Sequence, residues 1–218
     1  MAIILGIDEA GRGPVIGPLV IAGVSIDEKG LDRLSELGVK DSKLLSPNQR
    51  EGMFDKITST AREYKVIIIP PKEIDSTLKS RSLNLNWLEA IKSAEIIDFL
   101  KPKKAIIDCP SNNIIAYKNF LRKHLKNKKT ELVLEHKADL KYIIVSAASI
   151  VAKVTRDREI KKIQKSIKEP IGSGYPSDPI TVNFLEKNYN KYQEIFRKEW
   201  ASWKNINKKK KQKSLKDF

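Results

Sequence analysis

The chain is poor in soft metal ligands. One cysteine, Cys109, and two histidines, His124 and His136, stand among 218 residues. A lone cysteine closes no internal disulfide, and a zinc site of the Cys/His type lacks its ligands. Scarce cysteine fits a reducing, cytoplasmic setting. Long hydrophobic runs are missing too. No apolar stretch approaches the roughly 18 residues of a spanning helix, which argues against a membrane protein. The N-terminus has neither the basic start nor the cleavage site of a secretory signal. Acid is in short supply: 27 Asp and Glu stand against 42 Lys and Arg, a formal charge of +15. A bias toward lysine-rich composition would raise Lys and Glu together. The imbalance therefore points to a polyanionic partner, nucleic acid before an anionic membrane surface. Any metal bound here must be held mainly by oxygen.

What is present describes a globular α/β protein, 40% hydrophobic and 32% charged. Strand patterns cover residues 2–8, 18–26, 64–69, 105–108 and 131–134. The first two run on apolar with little alternation, as strands covered on both faces do. Helical patterns cover 31–37, 46–63, 72–78, 83–100, 112–125, 142–167, 181–189 and 192–211. Ser46-Pro47 is a helix start, with Ser as N-cap and Pro at the first position. The long helix over 142–167 opens with small residues, Val145-Ser146-Ala147-Ala148-Ser149, which let it sit close to a sheet. This order predicts a mixed five-stranded sheet flanked by helices over residues 1–170, and a C-terminal helical extension over 171–218. Lys208 to Lys213 form a basic, frayed tail.

Acids recur where strands end. Asp8 and Glu9 close the first strand pattern, Asp108 closes the fourth, and Asp139 stands just before the long helix. If these ends meet at one sheet edge, four carboxylates converge and repel one another unless cations neutralise them. Hard oxygen donors select Mg²⁺ or Mn²⁺. Two such ions about 3.5–4 Å apart can activate water and stabilise a leaving oxygen in phosphodiester cleavage. The plainer alternatives are a turn residue at Asp108 and a helix cap at Asp139. The adjacent pair Asp8-Glu9 is harder to explain that way. A loop, Gly11-Arg12-Gly13, follows at once and brings backbone N–H groups and a guanidinium to the same part of the chain. Lys40, Ser42 and Lys43 form a polar loop, either solvated or in contact with phosphate. Tyr175 lies in a turn-rich loop, Gly172 to Pro179, and could pack in a core or stack on a sugar. Lys153, Arg156 and Arg158 read as a solvated helix face with some backbone contact. Cys109, His124 and His136 read as structural.

The string G-I-D-E-A-G-R-G-P-V-I-G-P-L-V-I-A-G strongly resembles the opening of type 2 ribonuclease H, ribonuclease HII, in its archaeal form. V-K-D-S-K-L-L-S (39–46), I-I-D-C-P (106–110), H-K-A-D (136–139), V-S-A-A-S-I-V-A-K-V-T-R-D (145–157) and G-S-G-Y-P-S-D-P (172–179) continue it in family order. The resemblance implies a ribonuclease H-like fold. It implies a monomeric endonuclease that cuts the RNA strand of RNA–DNA hybrids and single ribonucleotides embedded in duplex DNA. Cleavage would fall 5′ of the ribonucleotide and leave 3′-OH and 5′-phosphate ends. The family's four metal-site acids fall on Asp8, Glu9, Asp108 and Asp139, its Gly-Arg-Gly on Gly11, Arg12 and Gly13, and its junction-sensing tyrosine on Tyr175. Similar residues in the family make Lys40, Ser42 and Lys43 phosphate contacts. Two rival readings are a branched-DNA nuclease of the same superfold and a non-catalytic basic nucleic-acid-binding module.

Overall fold

Strand β1 (Ile4–Ala10) runs through the middle of a five-stranded sheet. It is flanked by β2 (Leu19–Ile26), with β3 (Glu63–Ile69) beyond, and by β4 (Lys104–Asp108), with β5 (Glu131–Glu135) beyond, in the order β3-β2-β1-β4-β5. β1 pairs antiparallel with β2 and parallel with β4, and β4 pairs parallel with β5. The sheet is mixed, as the sequence suggested. The structure, a computed structural model, describes residues 2–39, 45–80 and 82–214, the last six without their side chains. Lys40, Ser42 and Lys43 lie outside the described residues.

β1 is longer than its apolar pattern. The sequence reading ended it at Asp8, yet β2 stays in register through Ala10↔Val20. Asp8 and Glu9 therefore lie within the strand, paired with Ala22 and Ile21.

The helices are α1 (Glu28–Glu36), α2 (Pro47–Thr60), α3 (Pro71–Lys79), α4 (Leu85–Leu100), α5 (Ile114–His124), α6 (Ala138–Lys141), α7 (Ile143–Ile167), α8 (Pro179–Asn188) and α9 (Ala201–Ser214). The expected start at Ser46-Pro47 holds. Ser46 Oγ accepts the Gln49 N–H, and the Gln49 side chain accepts the Ser46 N–H. Single helical turns such as α6 have no sequence period to betray them. The helix expected over 192–211 begins only at Ala201, because Phe196 forms a bridge with Ile16. Lys208 to Lys213, expected to fray, continue α9.

The chain divides into two compact units, and the division does not follow a boundary near 170. Unit 1 comprises Met1–Ala10, Val20–Ile68 and Leu85–Thr155. Its core on one sheet face packs Val20, Ala22 and Val24 with Ala147, Ala148 and Val151 of α7. Unit 2 comprises Gly11–Leu19, Ile69–Asn84 and Arg156–Phe218. Its core holds Val15, Ile16, Ile160, Ile171, Phe184, Leu185 and Phe196. Here the Val15 N–H donates to the Gly174 carbonyl at 2.8 Å, and buried Asp75 accepts the backbone N–H groups of Lys198 and Glu199 at 2.9 and 3.1 Å. A boundary drawn in sequence cannot follow such a unit, because its segments meet only through packing.

Small residues set how closely α7 approaches β1. A Cβ added at Gly6 would overlap the backbone carbonyl of Ile144. No rotamer change relieves a clash with backbone. Gly6→Ala is expected to cost about 1–3 kcal/mol and lower Tm by roughly 4–10 °C. Thermal unfolding checks this, and an unchanged Tm would show that α7 can retreat without loss.

Candidate active site

The parallel ladder between β1 and β4 ends at Ile7↔Ile107. The next residue on each strand is an aspartate, Asp8 and Asp108. Shared register thus delivers two carboxylates to the same level of the sheet. Asp108 also organises the third. Its Oδ1 accepts the N–H of Ala138, the first residue of α6, at 3.3 Å. Lys137, with φ of 56°, turns the chain sharply into that helix. Asp139 follows one residue later. Carboxylate oxygens of Asp8, Asp108 and Asp139 all lie within 4.8 Å of one another. Asp8 and Asp139 are only 6% and 7% exposed.

Glu9 stands outside this group. Successive side chains of a strand leave on opposite faces. Asp8 faces α7, where the Ser149 hydroxyl and the Lys153 ammonium act on it. The charge of Glu9 acts on Cys109, on which Asp108 also acts, and on Tyr117 of α5. The alternative roles for the other acids also resolve. Asp139 lies inside α6 and does not cap α7, while Asp108 ties β4 to α6.

Electrostatics fit the cluster to a cation. Burial pushes the Asp8 carboxyl up to about 7, and the neighbouring charge of Asp108 adds to the rise. The Ser149 hydroxyl, the Glu9 N–H at 2.7 Å from Oδ1 and Lys153 pull the other way without cancelling it. Three close carboxylates, two of them buried, are the donor set that a hard divalent cation requires. Cys109 does not join them. Its thiol is buried against the Ser111 carbonyl, and burial pushes its pKa up, so it is not a thiolate ligand or nucleophile.

Within unit 2, the Gly11-Arg12-Gly13 loop is held from behind. The Arg197 side chain, 0% exposed, donates Nη2 to the Gly11 carbonyl at 2.6 Å, Nη1 to the Arg12 carbonyl at 3.1 Å and Nε to the Gly17 carbonyl at 3.0 Å. The two loop glycines differ in role. Gly11 has φ of +84°, and a Cβ there would meet the Arg156 side chain at 2.5 Å and the Pro18 carbonyl at 2.9 Å. Gly13 faces Tyr175, whose ring lies 3.6 Å from an added Cβ. Tyr175 is 38% exposed, so it is not a core tyrosine. The Arg156 guanidinium lies 5.1 Å from its ring centroid and donates to the Ser173 carbonyl at 3.0 Å.

Arg156 was read from sequence as part of a solvated helix face; it is buried, because Tyr175 and Gly174 close over it. Arg197 was missed altogether. Its charged neighbours, Lys198 and Glu199, disguise the segment as a solvated helix. The apolar pair Ile195-Phe196 just before it was the available hint.

The chain matches the family described as Ribonuclease HII over residues 5–205. It is 46% identical over 206 residues to the ribonuclease HII of Pyrococcus furiosus, an alignment covering 92% of this chain and 89% of that one. The chain belongs to the ribonuclease HII family. The crystal structure of the ribonuclease H2 from Pyrococcus horikoshii OT3 superposes with a TM-score of 0.86 at 45% identity, covering 95% of this chain and 98% of that one. The ribonuclease HII of Archaeoglobus fulgidus, solved as a complex with PCNA, gives 0.82 at 39% identity, covering 91% and 95%. As a ribonuclease HII, the protein is a divalent-metal-dependent hydrolase, an endoribonuclease acting on RNA–DNA hybrids. The branched-DNA nuclease and the non-catalytic module are not favoured. No helix among the described residues is long and apolar enough to cross a membrane.

The raised Asp8 carboxyl carries a stability consequence. A group moved from 3.8 to about 7 keeps its proton in the folded state after the unfolded state has released it. Metal-free stability is therefore highest below the lower value and falls as pH rises through the interval. At alkaline pH, Asp8→Asn should raise the Tm of this metal-free ribonuclease HII by about 2–6 °C. It should also remove most of the stabilisation that Mg²⁺ gives the parent. Scanning calorimetry in chelator and in Mg²⁺ checks both, and an undiminished Mg²⁺ response in the variant would dissociate Asp8 from the metal.

Proposed function

We propose that this ribonuclease HII acts as a monomer on long hybrids and on single ribonucleotides embedded in duplex DNA. It cuts on the 5′ side of the ribonucleotide and leaves 3′-OH and 5′-phosphate ends. The carrying observation is the group of Asp8, Asp108 and Asp139 carboxylates within 4.8 Å of one another. These three hold Mg²⁺ or Mn²⁺, with Glu9 contributing from the adjacent position. Bound there, two such ions would act as Lewis acids on the phosphate and lower the pKa of the attacking water. The chain's own share is orientation. Asp8 and Asp108 are fixed by strand register, and Asp139 by the bond from Ala138 to Asp108.

The Gly11-Arg12-Gly13 loop reads the sugar edge, where the 2′-OH distinguishes RNA from DNA. Arg12 clamps a phosphate. Tyr175 stacks on the deoxyribose that follows the ribonucleotide. Support for its role comes from its partial exposure and from the Arg156 guanidinium that backs the ring. Lys40, Ser42 and Lys43 contact phosphates, and lysines 208–211 add salt-sensitive affinity.

A second proposal concerns a partner. The Archaeoglobus relative was solved with PCNA, and we extend that assembly to this chain. We place the contact at Leu215 and Phe218, the only apolar residues after Ile206 in the sequence. Truncation after Ser214 should abolish PCNA binding by surface plasmon resonance and leave free-substrate cleavage intact. Retained binding would move the contact elsewhere.

Asp8→Asn should abolish cleavage of a duplex carrying one ribonucleotide, by about 10³-fold or more, and leave hybrid binding within about threefold. Mapping products to one nucleotide should show a Mg²⁺-dependent cut 5′ of the ribonucleotide. A near-normal rate in the variant would sink the assignment of Asp8, and a cut elsewhere would sink the proposed chemistry.

A further inference from the structure

Arg197 is the largest completely buried side chain among the described residues. Burying a guanidinium is costly unless its donors are satisfied. Here they are spent on one short stretch of backbone, the carbonyls of Gly11, Arg12 and Gly17. The Arg197 guanidinium lies 4.9 Å from the Trp200 ring centroid, and Trp200 Nε1 donates to the Gly13 carbonyl at 3.2 Å. The Arg197 N–H itself donates to the Val15 carbonyl at 2.9 Å. All three carbonyls of Gly11-Arg12-Gly13 are thus held by one arginine–tryptophan pair.

This fixes the other side of the loop. None of the described peptide bonds is cis. In a trans peptide the N–H points opposite to the C=O. With the Gly11 and Arg12 carbonyls turned to Arg197, the N–H groups of Arg12 and Gly13 are turned away from it. Pro14 has no N–H to add. Two successive N–H groups on the side away from Arg197 can form a small donor cradle for a hydroxyl or phosphate oxygen.

We infer that Arg197, backed by Trp200, is the positioning residue that holds the Gly11-Arg12-Gly13 carbonyls away from substrate and presents the Arg12 and Gly13 N–H groups to the ribose and its phosphate. The inference rests on the loop's role as reader of the sugar edge, stated above. It explains the choice of arginine. A planar fork with five donors can hold three carbonyls at fixed angles, which a lysine point charge cannot. It also accounts for Gly11, since the φ of +84° that aims this carbonyl excludes a side chain.

The experiment compares the parent with Arg197→Gln, Arg197→Lys and Trp200→Phe. KM and kcat are measured on a duplex carrying one ribonucleotide, and Ki on the same duplex in all-DNA form as competitor. Arg197→Gln should raise KM about tenfold or more and Trp200→Phe about threefold, with kcat within about twofold. Ki for the all-DNA duplex and the Mg²⁺ concentration for half-maximal rate should not move, and Arg197→Lys should recover part of the KM loss. Folded variants with parental KM would overturn the inference. So would a parallel rise of KM and Ki, which marks general loosening of the binding surface. Should Arg197→Gln fail to fold, Arg197→Lys, which keeps the charge and loses the planar fork, decides: a parental KM there overturns the inference. Arg12→Pro, which removes one of the two N–H groups, separates this inference from the reading beneath it. Unchanged ribose discrimination in Arg12→Pro sinks the loop's role itself. Lost discrimination there, with none lost in the Arg197 and Trp200 variants, sinks only the positioning role.

Discussion

The register of one parallel strand pair brings the acid cluster together. Because Ile7 pairs with Ile107, Asp8 and Asp108 emerge side by side where the ladder stops. A slip of one residue would send one of them to the opposite face and dissolve the site. The buried apolar residues that precede them, Leu5, Ile7, Ile106 and Ile107, hold that register. Asp139 then depends on Asp108, whose carboxylate fixes the first turn of α6. The arrangement accepts an electrostatic cost in its metal-free form, visible in the raised pKa of Asp8. A divalent cation bound among these carboxylates would reverse that cost and tie stability to cofactor binding.

The Gly11-Arg12-Gly13 loop rests on a different physical device. Its backbone is fixed by side-chain donors from a segment about 180 residues away, and not by a sheet ladder. Loops that must offer their own N–H groups to a ligand cannot also spend them on secondary structure. Arg197 and Trp200 hold the carbonyls of Gly11, Arg12 and Gly13. Tyr175 is placed by similar logic. Asp178 accepts the N–H groups of Ser173 and Ile180, and the Thr181 hydroxyl accepts the Gly174 N–H, so the loop carrying the ring is bonded through its flanks.

Much of the fold was legible in residue patterns. Apolar runs marked the strands, and Ser46-Pro47 marked the start of α2, because these signals are local. The limits of the helical extension were not. Phe196 and Arg197 belong to a charged run that looks helical, yet the bridge to Ile16 and the buried guanidinium dictate an irregular path. The extent of β1 was also misjudged, since a strand lasts as long as its neighbour stays in register, whatever its hydropathy.

The sequence by itself determined the chemistry available: oxygen ligands in place of sulfur, an excess of cations for a polyanion, and motif blocks specific enough to resemble one family. It marked Asp8, Glu9, Asp108 and Asp139 as candidates, the adjacent pair Asp8-Glu9 before the other two. Only the tertiary structure gathered three of those acids within 4.8 Å of one another, because register acts on space and not on spacing. Only the tertiary structure singled out Arg197. A buried arginine and a solvated one are spelled alike, and what separates them is whether folded backbone stands ready to accept its donors.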